Sequence, residues 1–591
     1  MARGINAEQE GQGEGEQREG EQGGEKGGEL GEAGAECAWG YFQESMLQVG
    51  WHFLVIATNS SCSSKDQAFA AGYAEGRLTS LPMRQHFVNE FGRLKRSPRL
   101  LQYLETNRAY MEDMVAAAEA AGPGDVADED RTYWWQVGLM LQQVSGLRMG
   151  FNDAVKPEER MEAIDFDIMN LHGDIQDLQY VLDIVHGAET DHSSANGSKG
   201  RGEGGNDRVM LVFPDACSAI IKLLPNNTDL LTAQATWTRL ENMLRIYKIY
   251  DFAFQLKPPV SATSAADVIP GRAMSFASYP GRLFSGDDFY ITSARLAVQE
   301  TTIGNDNLEL YRRYVHPNGT VLEWIRNMVA NRVASSGRQW VDVFSRHNSG
   351  TYNNQWMVVD YKVFQPGHPP PDNTLWVLEQ LPGHVVGEDM SAHLRTEGYW
   401  ASYNIPAFPA IFNLSGFADL ERRRGSWFSH SHSPRAKLFR RDQGKVVDVA
   451  SLQRLMRYND FKHDPLSACN CTPPYSAENA IAARGDLNEA EGLYDLPFLG
   501  LRDHAETDTK ITGYHMLQHS LAALAISGPT YDQQPPFQWS KSPFANVSHL
   551  GHPDLFLFPW LTIHYVTEGT GQGRLSVHVP PQPQQPGTAN M

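Results

Sequence analysis

The sequence predicts an α+β fold of stacked β-sheets covered by helices, and three observations carry that expectation. Residues 66–185 repeat apolar side chains three and four positions apart, as amphipathic helices do. After residue 217 the texture changes to short β-like runs divided by turn residues. Between the two lies a polar, Gly-rich stretch, 188–208, too poor in apolar side chains to pack. Strands and helices placed this way do not alternate as a doubly wound parallel sheet requires.

Taken in order, residues 1–36 are a Glu/Gly/Gln run read as a disordered acidic leader. Their Gly-Gln-Gly-Glu-Gly has neither the Gly-Lys-Ser/Thr ending nor the preceding strand of a phosphate loop. Order is expected from about Ala38, with Val49 to Thr58 (VGWHFLVIAT) as a buried strand. Asp66 to Gly76, Arg131 to Leu147 and Glu158 to Val185 read as helices, whose Trp134, Trp135 and Met stripe suits a core better than a cofactor box. Residues 37–187 then form a largely helical N-terminal fragment, 188–216 a linker or propeptide, and 217–591 the C-terminal fragment carrying the core of one overall domain.

Ser218 to Leu224 and Leu230 to Trp237 read as strands joined by the turn Pro225-Asn226-Asn227. Arg239 to Phe252 reads as a helix, and Ala273 to Ser278 and Asp288 to Glu300 as strands. Leu322 to Ser345 reads as helices, and Asn354 to Phe364 and Thr374 to Gln380 as strands. Beyond Asp442 the pattern fades into turn chemistry, above all in 473–497 and 528–543.

The charge balance excludes one broad class. The net charge is -20, but ten Glu against Arg3, Arg18 and Lys26 give the leader -7, leaving -13 for the other 555 residues. A mildly acidic chain without a basic stripe is not built to neutralise phosphates, so nucleic acid is not an expected partner. No run of eighteen apolar residues occurs, so no transmembrane segment is expected. Seven Asn-x-Ser/Thr sequons, at Asn59, Asn196, Asn226, Asn318, Asn413, Asn470 and Asn546, favour a glycosylated secretory-route protein. The N-terminus carries no basic and apolar signal pattern, which is reconciled with the sequons if a wrong gene start has removed the signal.

Five cysteines are too few for a disulfide scaffold and odd in number, so four can pair and leave Cys217 free. Cys217 opens a β-like run directly after the linker. A cut before it, at Ala216-Cys217, would give one residue both a thiol and a free α-amine, the minimal machinery of an N-terminal nucleophile hydrolase. The bland alternative is a buried Cys acting as a small hydrophobe. Cys469-Asn-Cys471 admits a strained disulfide, partners at Cys37 and Cys62, or half of a zinc site whose other ligands are not evident. His430-Ser-His432 has ligand spacing but no neighbouring Cys/His cluster and reads as a surface loop, while Arg422 to Arg424 and Arg440-Arg441 read as solvated faces. No metal and no cofactor are expected, and a homo-oligomer is compatible with the sequence.

Several ordered stretches resemble the phospholipase B-like family, which includes the lamin ancestor proteins: Cys217-Ser-Ala-Ile-Ile-Lys-Leu-Leu-Pro225, Ser278-Tyr-Pro-Gly281, Asp287-Asp-Phe-Tyr290, Glu300-Thr-Thr-Ile-Gly-Asn305, Asn348-Ser-Gly-Thr-Tyr-Asn-Asn-Gln-Trp-Met357, Tyr399-Trp-Ala-Ser-Tyr-Asn-Ile-Pro406, Pro434-Arg-Ala-Lys437 and Ser527-Gly-Pro-Thr530. The resemblance runs from about residue 38 to the end, and the stretches at 300–305, 399–406 and 536–543 look closest to the family's lysosomal branch. It implies a four-layer αββα N-terminal nucleophile fold with helical additions, matured by self-cleavage at Ala216-Cys217 into fragments that stay associated. Carried over by position, the implied site comprises Cys217, Trp237, Thr302, Asn404 and Arg435. Where the family has His three residues before the tryptophan, this chain has Gln234, which cannot take up a proton near neutral pH.

The implied activity is hydrolysis of an acyl ester or amide bond in a lipid-like substrate, in the lysosomal lumen or after secretion. The alternative is a glycosylated lysosomal binding or storage protein that cleaves itself and turns over little. Asn404 is expected to donate its amide to an oxyanion. Arg435 is expected to hold the surroundings of the α-amine or a substrate carboxylate or phosphate, with a structural ion pair as its bland reading.

Overall fold

The computed structural model describes residues 36–121, 124–185, 216–258, 267–566 and 573–579. The acidic leader before Glu36, the linker up to Asp215, and Asn196 lie outside the described residues.

Among the described residues twenty strands appear in chain order: β1 (Ala38–Gln43), β2 (His52–Thr58), β3 (Ala216–Leu223), β4 (Leu230–Thr238), β5 (Ile246–Asp251), β6 (Ala273–Ser278), β7 (Phe289–Thr292), β8 (Leu296–Thr302), β9 (Asn354–Asp360), β10 (Leu375–Leu381), β11 (His384–Asp389), β12 (Tyr399–Ser402), β13 (Cys471–Thr472), β14 (Leu493–Tyr494), β15 (Ala505–Gly513), β16 (Ala523–Ser527), β17 (Phe537–Gln538), β18 (Leu555–Phe556), β19 (Leu561–Val566) and β20 (Arg574–His578). Nine make one sheet in the order β1-β2-β5-β6-β7-β8-β9-β10-β11, and seven make a second in the order β12-β3-β4-β15-β16-β19-β20. Every pairing is antiparallel except β2 on β5. Because β1 and β2 precede the linker and β5 follows it, the two sides of the linker are woven into one sheet.

The alternation of side chains shows how the layers stack. On β2, Phe53 and Val55 share an apolar cluster with Ala219, Ile221 and Leu230 of the second sheet, while Leu54 and Ile56 pack on the helical side. On β3 and β4 the outward face, Ile220, Leu231, Ala233 and Ala235, meets Leu438, Phe439, Leu452 and Met456 from the helices after β12. The resulting order is helices, sheet, sheet, helices.

Among the described residues seven α-helices lie before the linker: α1 (Met46–Val49), α2 (Ser64–Leu78), α3 (Ser80–Phe91), α4 (Pro98–Ala120), α5 (Asp128–Ala154), α6 (Ala163–Met169) and α7 (His172–Gln179). α2 and α5 meet backbone to backbone. A Cβ on Gly72 would sit 1.9 Å from the Gln143 carbonyl oxygen, and one on Gly146 2.0 Å from that of Phe69. The small residues noticed at helical spacing in 66–76 serve this close approach. Below it, Glu75 of α2 receives the buried Lys248 ammonium of β5 at 2.6 Å and ties helix to sheet. Trp134 and Trp135 belong to the core.

Some readings of the sequence require correction. Arg239 to Phe252 is a single 3-10 turn, Leu240–Asn242, followed by β5 and not a helix. Its residues alternate between two buried faces, and a short apolar run of that kind cannot be told from helix by periodicity. Asp288 to Glu300 is two strands with a turn at Ser293 to Arg295. Beyond Asp442, where loops are expected, β15, β16, β19 and β20 complete the second sheet. Cys37 pairs with Cys62 and Cys469 with Cys471, leaving Cys217 as the free cysteine among the described residues.

Candidate functional site

Cys217 is the second residue of β3 and is buried. The strand forms because ACSAIIKL is apolar on both faces, and its hairpin to β4 turns through Asn226 and Asn227 at φ 57° and 56°, a region asparagine tolerates. Across the hairpin Cys217 stands opposite Thr236, and Ala216 opposite Trp237. Directly opposed residues share a face, so Cys217, Thr236 and Gln234 all look toward the first sheet, and Trp237 looks away from it.

Three elements converge on the main chain of Cys217. β12 pairs with β3 up to Ser402↔Ala219, and two residues later Asn404, at φ 70°, turns its side chain back. The Cys217 N–H donates to Asn404 Oδ1 at 3.2 Å, and Asn404 Nδ2 donates to the Thr302 carbonyl at the end of β8 at 2.7 Å. Arg435, near the start of the helix Pro434–Asp442, donates from Nη1 to the Cys217 carbonyl at 2.6 Å. Its guanidinium lies 4.3 Å from the centre of the Trp237 ring, and Trp237 Nε1 donates to the Ile481 carbonyl at 3.2 Å. Cys217, Trp237, Asn404 and Arg435 are thus gathered around one residue, and Thr302 joins through its carbonyl. Asn404 meets Cys217 through its oxygen, not through its amide nitrogen.

Gln234 takes no part in this contact. Its Nε2 donates to the main-chain oxygens of Asp287 at 2.6 Å and Asp288 at 3.4 Å, just before β7, and of Glu300 in β8 at 2.8 Å. It pins β4 to the opposite layer.

On the thiol's own face lies a buried ionic network that the sequence reading missed. Asp287 accepts from Arg245 at 2.7 Å, Lys510 at 2.6 Å and Thr236 at 2.8 Å, and Lys510 also reaches Asp508 at 2.6 Å. Burial raises the Asp287 carboxyl, but Arg245 and Lys510 outweigh it and hold the group well below the usual carboxylate range. Burial lowers the Lys510 ammonium, and Asp287 and Asp508 more than restore it. The thiol has no such compensation. Burial first, then the charge of Glu300, push Cys217 well above an ordinary thiol, against the opposing Trp237 N–H and Lys510. Glu300 is itself raised well above the carboxylate range by burial and by Asp288 and Asp287. Burial therefore favours the neutral form of the Cys217 thiol.

The remaining candidates are placed plainly. His430 stacks on Tyr403, with ring centres 5.5 Å apart, and burial lowers it to about 4, while His432 is exposed. No group of three or more His, Cys, Asp or Glu able to hold a metal occurs among the described residues. Among them, too, no helix is long and apolar enough to cross a membrane. Arg422 and Arg423 pair with Asp419 on an exposed face, whereas Arg441 bridges Asp442 and Asp464. The six described sequon asparagines, Asn59, Asn226, Asn318, Asn413, Asn470 and Asn546, are all exposed.

The sequence profile of the family described as Phospholipase B matches residues 38–563. The rat protein named "Putative phospholipase B-like 2" is 43% identical over 544 residues, covering 88% of this chain and 86% of the relative. The human protein of the same name is 42% identical over 537 residues, covering 88% and 84%. Phospholipase B-like protein B of Dictyostelium discoideum is 37% identical over 526 residues, again covering 88% and 84%.

Proposed function

Because the chain belongs to the phospholipase B family, we propose that it is a self-cleaving cysteine hydrolase of the N-terminal nucleophile class, acting on an acyl ester or amide bond of a lipid-like substrate. The observation that carries the reading is the grip on Cys217: its nitrogen on Asn404, its carbonyl on Arg435, at the start of a strand that follows the linker. The order helices, sheet, sheet, helices supports the same class.

In maturation the Cys217 sulfur adds to the Ala216 carbonyl carbon, the Ala216–Cys217 C–N bond breaks, and the acyl group passes to sulfur. The departing nitrogen keeps the thiol's proton and becomes the α-amine. Water then hydrolyses the thioester, releasing the Ala216 carboxyl and restoring the thiol. The new amine, with a reference pKa near ~8, remains on Asn404 Oδ1 and serves as base for its own thiol in each later turnover. Before the cut that nitrogen is an amide and cannot be a base, and burial favours the neutral thiol. The shared sheet keeps the two fragments together. Exposed sequons and two disulfides favour a glycosylated protein of the lysosomal lumen or the secretory route.

One observation favours a second reading, a lysosomal binding or storage protein that cleaves itself and turns over little: Gln234 is locked onto the opposite sheet and offers no proton-handling group at the family's His position. The test is a thiol reagent on matured protein against a panel of acyl esters and amides. Labelling of an N-terminal Cys217 with loss of hydrolysis supports the hydrolase. Labelling with no hydrolysis to lose supports the binding protein.

A further inference from the structure

We propose that the N-terminus of the helix Pro434–Asp442 forms an anion subsite, made of Ser433 Oγ, the main-chain N–H groups of Arg435 and Ala436 and the unused edge of the Arg435 guanidinium, that holds an oxygen of a carboxylate or phosphodiester of the substrate on the helical side of β3. The inference rests on the hydrolase reading only in calling the ligand a substrate; the subsite itself rests on geometry.

Ser433 is the residue before the helix and is 3% exposed, yet its hydroxyl caps nothing, and Oγ has no hydrogen-bond partner among the described residues. Leaving a buried hydroxyl unpaired costs free energy that natural structures avoid unless something else satisfies it. Pro434 has no N–H, and the first helical hydrogen bond runs from Lys437 to the Ser433 carbonyl. The N–H groups of Arg435 and Ala436 thus remain without a partner among the described residues, the state in which a helix start attracts an anion. Arg435 is 6% exposed and uses only Nη1, on the Cys217 carbonyl and on Ser218 Oγ. Among the described residues its Nε and Nη2 are unspent, and the N–H groups of that edge can donate to an oxygen of a carboxylate or phosphate.

Ser433, Pro434 and Arg435 line one cleft together with Tyr403, Ile405 and Trp427, which supply an apolar wall suited to a hydrocarbon chain. The cleft's carboxylate, Glu478, pairs with Arg502 at 2.9 Å and His504 at 3.3 Å, and its charge also favours the Arg435 guanidinium against burial. The free space is small, about 10 Å³, room for one oxygen-sized group. The subsite therefore takes one oxygen of the anion, and the rest of the ligand lies toward the cleft mouth. An anion there sits on the far edge of the guanidinium that grips the Cys217 carbonyl, on the helical side of β3, whereas the thiol looks toward the first sheet.

The test uses matured protein with both fragments and calorimetric titration of three probes: N-acetylglycine, glycerophosphocholine and the neutral N-acetylglycinamide. Each is repeated on Ser433→Ala, which removes no cap and no existing hydrogen bond. The expected result is binding of at least one anionic probe, weakened about tenfold by Ser433→Ala, with no binding of the neutral amide. Which anion binds more tightly distinguishes a carboxylate substrate from a phosphodiester one. Equal binding of charged and neutral probes, or an affinity unchanged in Ser433→Ala, overturns the subsite. Anion binding without hydrolysis of any acyl compound would sink the hydrolase reading and leave the subsite standing. Hydrolysis indifferent to substrate charge would do the reverse.

Discussion

Replacing Gln234 separates a positioning role from a proton-handling one. The side chain is fully buried, and its three hydrogen bonds all run from Nε2 to main-chain oxygens just before β7 and in β8. Gln234→Leu keeps the volume and removes the donor, leaving the Asp287 and Glu300 carbonyls, at 2.6 and 2.8 Å, without their partner. At roughly 1–3 kcal/mol for each buried group left unpaired, the expected loss is about 2–6 kcal/mol. Gln234→His restores the family's residue. Because a neutral imidazole carries one N–H, it should recover about half of that loss. Neither variant removes a contact to Cys217, so turnover should change by less than about tenfold, and the pH–rate profile should gain no limb near the reference His value of ~6.5. The assays are chemical denaturation of all three forms and pH–rate profiles on an acyl substrate. A Leu variant as stable as wild type would refute the pinning role. A new limb with a large gain in the His variant would show that position 234 handles protons and that this chain is a weakened member of its family.

Three further outcomes follow from buried contacts. Gly146→Ala drives a methyl into the Phe69 carbonyl and should cost about 3 kcal/mol or more, read as a lower denaturation midpoint with α2 and α5 spread apart. Lys510→Met leaves Asp287 and Asp508 with Arg245 alone and should cost about 3–5 kcal/mol by the same measurement. Asp288 is raised to about 7, first by burial, and sits at φ 50°, which Asn accepts. Its folded pKa lies above its unfolded one, so its contribution is fully present below about pH 4 and is lost as pH rises to about 7. Asp288→Asn should therefore match wild type near pH 4 and exceed it at pH 8, by as much as ~4 kcal/mol; equal thermal midpoints of the two forms at both pH values would contradict this.

The N-terminal helices, the β3–β4 hairpin and the strands at 354–380 were legible because their apolar side chains repeat at a clean period. β15 was not. Its sequence AETDTKITG carries almost no apolar signal, yet all nine residues are buried, because the strand runs through the ionic layer and satisfies its charges there: Glu506 on Arg457, Asp508 on Arg245, Lys510 on Asp287. Hydrophobic periodicity cannot find a strand whose burial is electrostatic. For the site, the linker before Cys217 singled out that residue without help, whereas Asn404 and Arg435 came only through the family resemblance. They lie 187 and 218 residues away in sequence, and no local pattern links them to Cys217. The opposite orientations of Gln234 and Trp237 followed from strand alternation alone. Ser433 gave no signal, since an unpaired hydroxyl is visible only once its neighbours are placed.

The central claim is that Cys217 cuts the chain before itself, and the most direct measurement is the N-terminal sequence and intact mass of the protein expressed with a secretory signal, wild type beside Cys217→Ala. The account predicts two associated fragments in wild type, one beginning at Cys217, and a single uncut chain in the Ala variant. Cleavage at Ala216–Cys217 that persists undiminished in Cys217→Ala would contradict it.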